Sequence, residues 1–393
     1  MRIAELIYYL VDLPLRKKIA HASHVRKSSR NLLICCRLAD GTEGWGEGVP
    51  RAYVTGETPD GAFAQLTQTC WAEQLDRDCE NWADVIELCS RLRPAVQRED
   101  PRRCGANAHR CAVELSLLDA YGHLFSSPVS AVTHCFAPAR PVRASLALVQ
   151  YSGAVTADSA FKEQISALKM RGYGFAHCKV KVGMPATDDQ VRMGRLRRWL
   201  GRKMEVRIDA NEAWDGTEVV SKLEPLLRWD IRCVEQPVPH AQVESLAEVR
   251  RRIPIPVMLD ESLTSLVDGA AAIRQETCDL FNIRLSKCGG FLDSLRLAAM
   301  AHEAGLGYQM GCHPGESGIL SAAGRHFATT VRDIRYREGS YDRHLLKRRI
   351  THEDMTFGYG GWAPALTGPG LGVKIRRDLL ARYTLRRQRH PLE

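Results

Sequence analysis

From about residue 140 onward, short apolar runs alternate with longer amphipathic stretches. This alternation predicts parallel strands joined by helices. The runs fall at 144–149, 176–182, 205–209, 232–235, 257–260, 280–286, 307–310 and 334–337. Helical stretches lie between them, such as 188–200, 217–229 and 292–304, with Gly305 where a C-cap glycine belongs. Eight such units predict an α/β fold, a modified (β/α)8 barrel of the TIM type with room for one short or missing helix. Ahead of it, residues 3–11 and 31–38 have strand composition, and Asp40-Gly41 is a hairpin turn signal. Stretches 71–93 and 109–124 have helical periodicity. After about residue 345 the alternation stops in a glycine-rich tail. The expected organisation is an α+β capping domain over 1–138, a barrel over 139–345, and a segment 346–393 that returns to the capping domain.

Composition narrows this without redirecting it. A chain of 393 residues suits two domains. No apolar run approaches the ~20 residues that span a bilayer, so no membrane partner is expected. The apolar start carries Glu5 and Asp12, and its basic cluster follows the apolar patch, which argues against a signal peptide. The 13 cysteines show no C-x-x-C spacing, which predicts reduced thiols, no structural zinc and a cytoplasmic location. The net charge of +9 is dispersed, and no nucleic-acid motif accompanies it, so no nucleic-acid partner is expected.

The strand ends carry the chemistry. Lys179 and Lys181 are followed by Asp209, Glu235, Asp260 and Lys287, a recurrence of about 26 residues, which is one strand, one helix and two loops. Charges at that period meet at one end of a parallel barrel. Lys179 and Lys181 point to the same side of their strand, and repulsion between them lowers at least one pKa. Three converging carboxylates, Asp209, Glu235 and Asp260, need a counter-ion. An all-oxygen site suits Mg²⁺, with Mn²⁺ as the alternative. Such an ion would hold a carboxylate substrate, and a lysine on each side would serve both faces of its α-carbon.

Together Lys179-Val-Lys181, Asp209-Ala-Asn211, Glu235-Gln-Pro237, Asp260-Glu-Ser262 and Lys287-Cys-Gly-Gly290 resemble the enolase superfamily, within it the muconate-lactonizing (muconate cycloisomerase) subgroup. The likeness extends to Gly44-Trp-Gly-Glu-Gly48 and to residues 112–119. It implies a metal held by Asp209, Glu235 and Asp260, with Asn211 and Glu261 supporting them. It implies Lys181 as acid/base with Lys179 tuning it, and Lys287 as acid/base or cationic stabiliser on the opposite face. The implied reaction removes the α-proton of a small carboxylate through an enediolate. Racemisation or epimerisation of an amino-acid derivative leads, with cycloisomerisation or dehydration as alternatives, in an expected homo-oligomer. A different subgroup, resembling mandelate racemase, uses a strand-seven histidine backed by a strand-six carboxylate. His313 is present, but no carboxylate stands at the end of strand six.

Substrate selection is expected from the loops 16–30 and 50–57, with Tyr53, and from Cys312 and Glu316 after strand seven and Glu338 and Asp342 after strand eight. Dipeptide epimerases of this subgroup resemble one another in an Asp-x-Asp pair at that last position. Here the acids stand four apart.

Overall fold

The computed structural model describes residues 1–20, 25–96, 100–155, 159–185 and 187–392. Strands β1 (Ile3–Ala20), β2 (Val25–Leu38) and β3 (Glu43–Gly48) form an antiparallel meander. Gly41, at φ 88°, makes the turn between the last two. The pairs Ile19–Arg26 and Ala20–Val25 extend the first hairpin, so the described part of the expected loop 16–30 is largely strand. Its two arms satisfy each other's backbone groups. Residues 21–24 of that loop lie outside the described residues.

Strand β4 (Leu148–Gln150) precedes eight parallel strands. These are β5 (Gly153–Val155), β6 (His177–Lys181), β7 (Glu205–Asp209), β8 (Ile231–Glu235), β9 (Val257–Leu259), β10 (Leu280–Ile283), β11 (Gly307–Met310) and β12 (Ile334–Arg337). They lie side by side in chain order. The Ser152 N–H donates to the Arg337 carbonyl at 2.8 Å and brings the two edges of the sheet together. Helices Ala160–Gly172, Asp189–Leu200, Val219–Leu227, Leu246–Arg252, Leu266–Arg274, Phe291–Glu303 and Gly318–Thr330 fill the connections. The single turn Asp342–Leu345 follows β12 directly, so the eighth barrel helix is the reduced one. Asp188 caps its helix through the N–H groups of Gln190 and Val191, and Gly305 closes another at φ 71°.

The first barrel strand lies later than the sequence pattern placed it. Within 144–149, the Ala144 and Leu146 N–H groups donate to Thr330 and Thr329 carbonyls at a helix end. The rest joins β4, which pairs antiparallel with β13 (Trp362–Pro364). The barrel strand itself is β5.

Strand β14 (Thr384–Pro391) pairs antiparallel with β1, so the capping sheet takes strands from both ends of the chain. It is an edge strand whose mostly exposed arginines discourage further pairing. Helix Asn107–Leu124 lies across β3, and this contact explains the Gly44, Gly46 and Gly48 alternation. A Cβ at those positions would sit 2.0 Å from Ala120 N, 1.9 Å from Ala112 O and 1.9 Å from Ala108 O. The helix answers with small residues every fourth position: Ala108, Ala112, Ser116 and Ala120. The atoms in conflict are backbone, so relief requires strand and helix to separate. We expect Gly46→Ala to cost about 3 kcal/mol, read as a lower denaturation midpoint. An unchanged midpoint would refute the close approach.

Glu47, between those glycines, is completely buried. It accepts from Asn31 Nδ2 at 2.7 Å, from Ser317 Oγ at 2.7 Å and from the backbone N–H groups of Ser317 and Leu320. The capping sheet thereby caps the barrel helix Gly318–Thr330. Glu114 does the same for helix Phe291–Glu303, accepting from Phe291 N and Leu292 N. All 13 cysteines are free thiols, and among the described residues no helix is long and apolar enough to cross a membrane.

Candidate active site

Barrel strands turn alternate residues inward. Cys233, Met258, Leu280 and Tyr336 pack together as an apolar cluster separate from the main core. Two residues further along the same four chain segments stand Glu235, Asp260, Asn282 and Glu338. An apolar floor is therefore followed, one side-chain layer up, by charge.

Lys179 sits at the centre of that charge. Its Nζ lies 3.3 Å from Asp209 Oδ2, 3.3 Å from both Glu235 oxygens and 3.0 Å from Glu338 Oε2. Burial opposes its charge, but Glu235, Glu338 and Asp209 outweigh burial and hold the ammonium well above the usual lysine range. The other Glu338 oxygen pairs with Arg207, whose guanidinium lies 4.6 Å from the Tyr336 ring centroid. With both oxygens so engaged, and despite burial, Glu338 is held down to about 2.

Lys181 differs from its neighbour. It is half-buried, and its ammonium makes no hydrogen bond or ion pair among the described residues. Burial, with repulsion from Lys179 added, depresses it below the usual lysine range against the pull of Asp209. The expected repulsion is present, but burial is the larger cause.

Asp209 and Glu235 are register partners on β7 and β8, and Lys181 is the register partner of Asp209 on β6. Glu235 is completely buried and accepts from Asn282 Nδ2 at 2.7 Å. Burial and the carboxylates of Asp209, Glu338 and Asp260 push its pKa up, despite Lys179. Asp260 receives Lys287 Nζ on Oδ1 at 2.8 Å and the Arg284 guanidinium on Oδ2. These two cations hold its carboxyl well below the usual range, against burial.

Gln236 explains why the Glu235-Gln-Pro and Asp260-Glu-Ser signatures occur together. Its Oε1 accepts from the N–H groups of Asp260 and Ser262, and its Nε2 donates to Val238 O and Ser262 Oγ. The end of β8 is thus tied to the turn that presents Asp260. Asn211 donates to Glu261 Oε1 at 3.3 Å, and its N–H reaches Asp209 Oδ1 at 3.0 Å. Asn211 and Gln236 hold left-handed backbone at φ 44° and 36°, strain concentrated at the strand ends.

Lys287 is fully enclosed. Its three donors go to Asp260 Oδ1, to Asp260 O at 2.6 Å and to Asn282 O at 2.8 Å. It follows β10 by four residues, on the turn that leads to Gly289 and Gly290. Gly290 stands at φ 123°, where a Cβ would meet Glu114 Oε1 at 2.5 Å. Arg284, directly after β10, turns inward with Asn282. Its guanidinium contacts Asp260 and lies 3.8 Å from Glu235 Oε1.

Arg284 also lines a cavity with Tyr151, Cys312, His313, Glu316 and Glu338. Burial pushes Glu316 up to about 8, with only the His313 N–H and Ser321 Oγ donating to it. Burial and the nearby arginines Arg284 and Arg51 hold His313 well below the usual histidine range, so it is neutral at neutral pH. Tyr53 and Asp342 are not among the residues lining this cavity. Asp342 is buried, and burial raises it to about 6.

The three carboxylates offer oxygen donors of the kind a divalent cation takes, and the upward push on Glu235 is relieved by added positive charge. As the described residues stand, no group of three acids, histidines or cysteines could hold an ion. Lys179 and Arg284 lie on the oxygens, and Arg284 has to leave Asp260 to admit one. The sequence reading missed Gln236, Asn282, Arg284 and Arg207. The alternation Asn282-x-Arg284 was the available signal, since it continues the inward face of β10.

Comparison with known proteins places the chain in a family. The family model described as enolase C-terminal domain-like matches residues 160–379. N-succinyl-L-Arg/Lys racemase of Bacillus cereus is 26% identical over 388 residues, 98% of each chain. Its crystal structure superposes with a TM-score of 0.86, covering 99% of this chain and 100% of that one at 24% identity. Muconate cycloisomerase 1 of Rhodococcus opacus is 27% identical over 95% of this chain and 96% of its own. A dipeptide epimerase from Cytophaga hutchinsonii, complexed with Mg and D-Ala-L-Val, gives a TM-score of 0.84 at 22% identity over 100% of both chains. The chain belongs to the enolase superfamily and is an enzyme of its racemase, epimerase and cycloisomerase kind.

Proposed function

We propose that the enzyme removes the proton α to the carboxylate of a small organic acid, with Lys181 as the base and Mg²⁺ as the cofactor. The observation that carries this is the state of Lys181. Lys179, Arg207, Arg284 and Lys287 are all paired, whereas the Lys181 ammonium is half-buried, depressed in pKa and, among the described residues, unpartnered. A lysine in that condition is suited to take a proton near neutral pH. Lys179 holds Asp209, Glu235 and Glu338 in place and keeps its own charge. A divalent ion held by Asp209, Glu235 and Asp260 would supply Lewis-acid stabilisation of the charge that develops on the substrate carboxylate.

The relatives act on N-succinylated arginine and lysine, on dipeptides and on muconate. The substrate class proposed here spans N-acylated amino acids and related carboxylates. Racemisation, the outcome that two opposed lysines would favour, needs a free ammonium facing Lys181, and Lys287 has no donor to spare. The conclusion is therefore the half-reaction. Its test incubates the enzyme with Mg²⁺ in D₂O and N-succinyl-L-arginine, N-succinyl-L-lysine, L-Ala-L-Glu or muconate, followed by NMR. Deuterium is expected at the α-carbon of at least one of the first three, or lactone formed from muconate. The signal should vanish with EDTA and return with Mg²⁺. Exchange that survives EDTA, or no reaction with any of the four, would refute this reading.

A further inference from the structure

We infer that Arg284, and not Lys287, is the group that faces Lys181 across the bound acid, so that protons move on one face of the substrate only. The inference rests on the half-reaction above and specifies its stereochemistry.

Topology supplies the first argument. Lys181 ends β6 and Arg284 follows β10, four places round an eight-stranded sheet whose edges meet. They therefore stand on opposite sides of the barrel mouth. Side-chain direction supplies the second. Asn282 and Arg284 alternate inward along β10, and both reach Glu235. Lys287 comes after the chain has turned away, and its donors are spent on Asp260 and Asn282. Position in the cavity supplies the third. Arg284 lines it with Cys312, His313 and Glu316, and its Nε is buried with no partner among the described residues. A buried guanidinium with an unused N–H is a binding group for a carboxylate oxygen.

The chemistry follows from what each cation can do. The Lys181 amine takes the α-proton. The C–H bonding pair becomes the second bond between the α-carbon and the carboxyl carbon, and a carboxyl π pair moves onto oxygen. Arg284 stabilises that oxygen but does not donate a proton, because a guanidinium keeps its protons throughout the working pH range. The proton therefore returns from Lys181 to the face it left, or the electron pair expels a group at the β-carbon. In D₂O the Lys181 ammonium exchanges with solvent, so a single enantiomer acquires deuterium with retention.

The test follows configuration and deuterium together, using whichever acid exchanges in the assay above. The enzyme is expected to incorporate deuterium at least ~100-fold faster than it inverts the α-carbon. Arg284→Lys places a transferable proton on the second face and is expected to bring inversion to within ~10-fold of exchange. Inversion by the unaltered enzyme at a rate comparable with exchange would overturn the inference while leaving the half-reaction intact. Calorimetric titration with Mg²⁺ alone is independent of turnover. Arg284→Met frees Asp260 Oδ2 and removes a competing charge, so Mg²⁺ should bind at least ~10-fold more tightly. Unchanged Mg²⁺ affinity in a folded Arg284→Met protein would overturn the placement of Arg284, even if none of the acids exchanges.

Discussion

Lys181→Ala is expected to lower α-proton exchange on the order of 10³-fold with little change in thermal stability. The ammonium has no partner to lose, and its stem is only partly enclosed. The pH profile of the unaltered enzyme carries the same information. Burial and Lys179 depress Lys181, so its neutral, proton-accepting form is present at lower pH than for a free lysine. The rate of proton removal should rise with pH along a limb below the ordinary lysine range and fall away as pH drops through that limb. Bound metal adds positive charge and moves the limb lower still. A rising limb at ordinary lysine pH, or full exchange by Lys181→Ala, would remove Lys181 from the chemistry.

Lys287→Met is expected to act on the fold first. It removes a buried ammonium that donates to three oxygens and takes a donor from the Asn282 carbonyl and from the Asp260 carbonyl, which keeps the Leu263 N–H. Breaking such a buried pair costs about 3 kcal/mol, moderated because Arg284 stays on Asp260. The melting temperature should fall by about 3–4 °C, with exchange per folded molecule declining less than in Lys181→Ala. A variant that melts normally but does not exchange would restore Lys287 as a proton station and refute the supporting role derived from its burial.

The parts of the site legible in the sequence are those fixed by backbone geometry. Asp209 and Glu235 close rigid strands, Asp260 follows β9 directly, and their spacing is the length of a strand–helix unit, so their convergence could be read without coordinates. The Lys179-x-Lys181 spacing gave a shared face for the same reason. Lys287 shows where this stops. Strand alternation holds through Arg284 and then gives way to a turn with two left-handed glycines, and a position counted past that point loses its direction. Glu338 was legible as an acid near the site. Its engagement by Lys179 and Arg207 was not, because those partners lie on other strands. In the fold, the barrel helices were placed to within a few residues, whereas the stretch 71–93 is two helices, Trp71–Leu75 and Trp82–Ser90, with a break between them. The first barrel strand was missed because an apolar run docked on a helix end has the same pattern as a buried strand. The glycine alternation in β3 was visible as a motif, and its cause lay in a helix about 60 residues away.

The pairing of β1 with β14 has a consequence for the order of assembly. Glu5 stands opposite Pro391, almost the full length of the chain away. Closing a loop of that length carries a large entropic cost before any contact compensates it, so this pairing belongs late in folding. On a ribosome, residues 384–391 emerge after β1, β2, β3 and the whole barrel. Until then the outer edge of β1 presents unpaired amides beside an apolar run from Leu6 to Val11. That interval is when the nascent chain is most open to pairing with another copy of itself, and the arginine-rich strand that arrives last ends it.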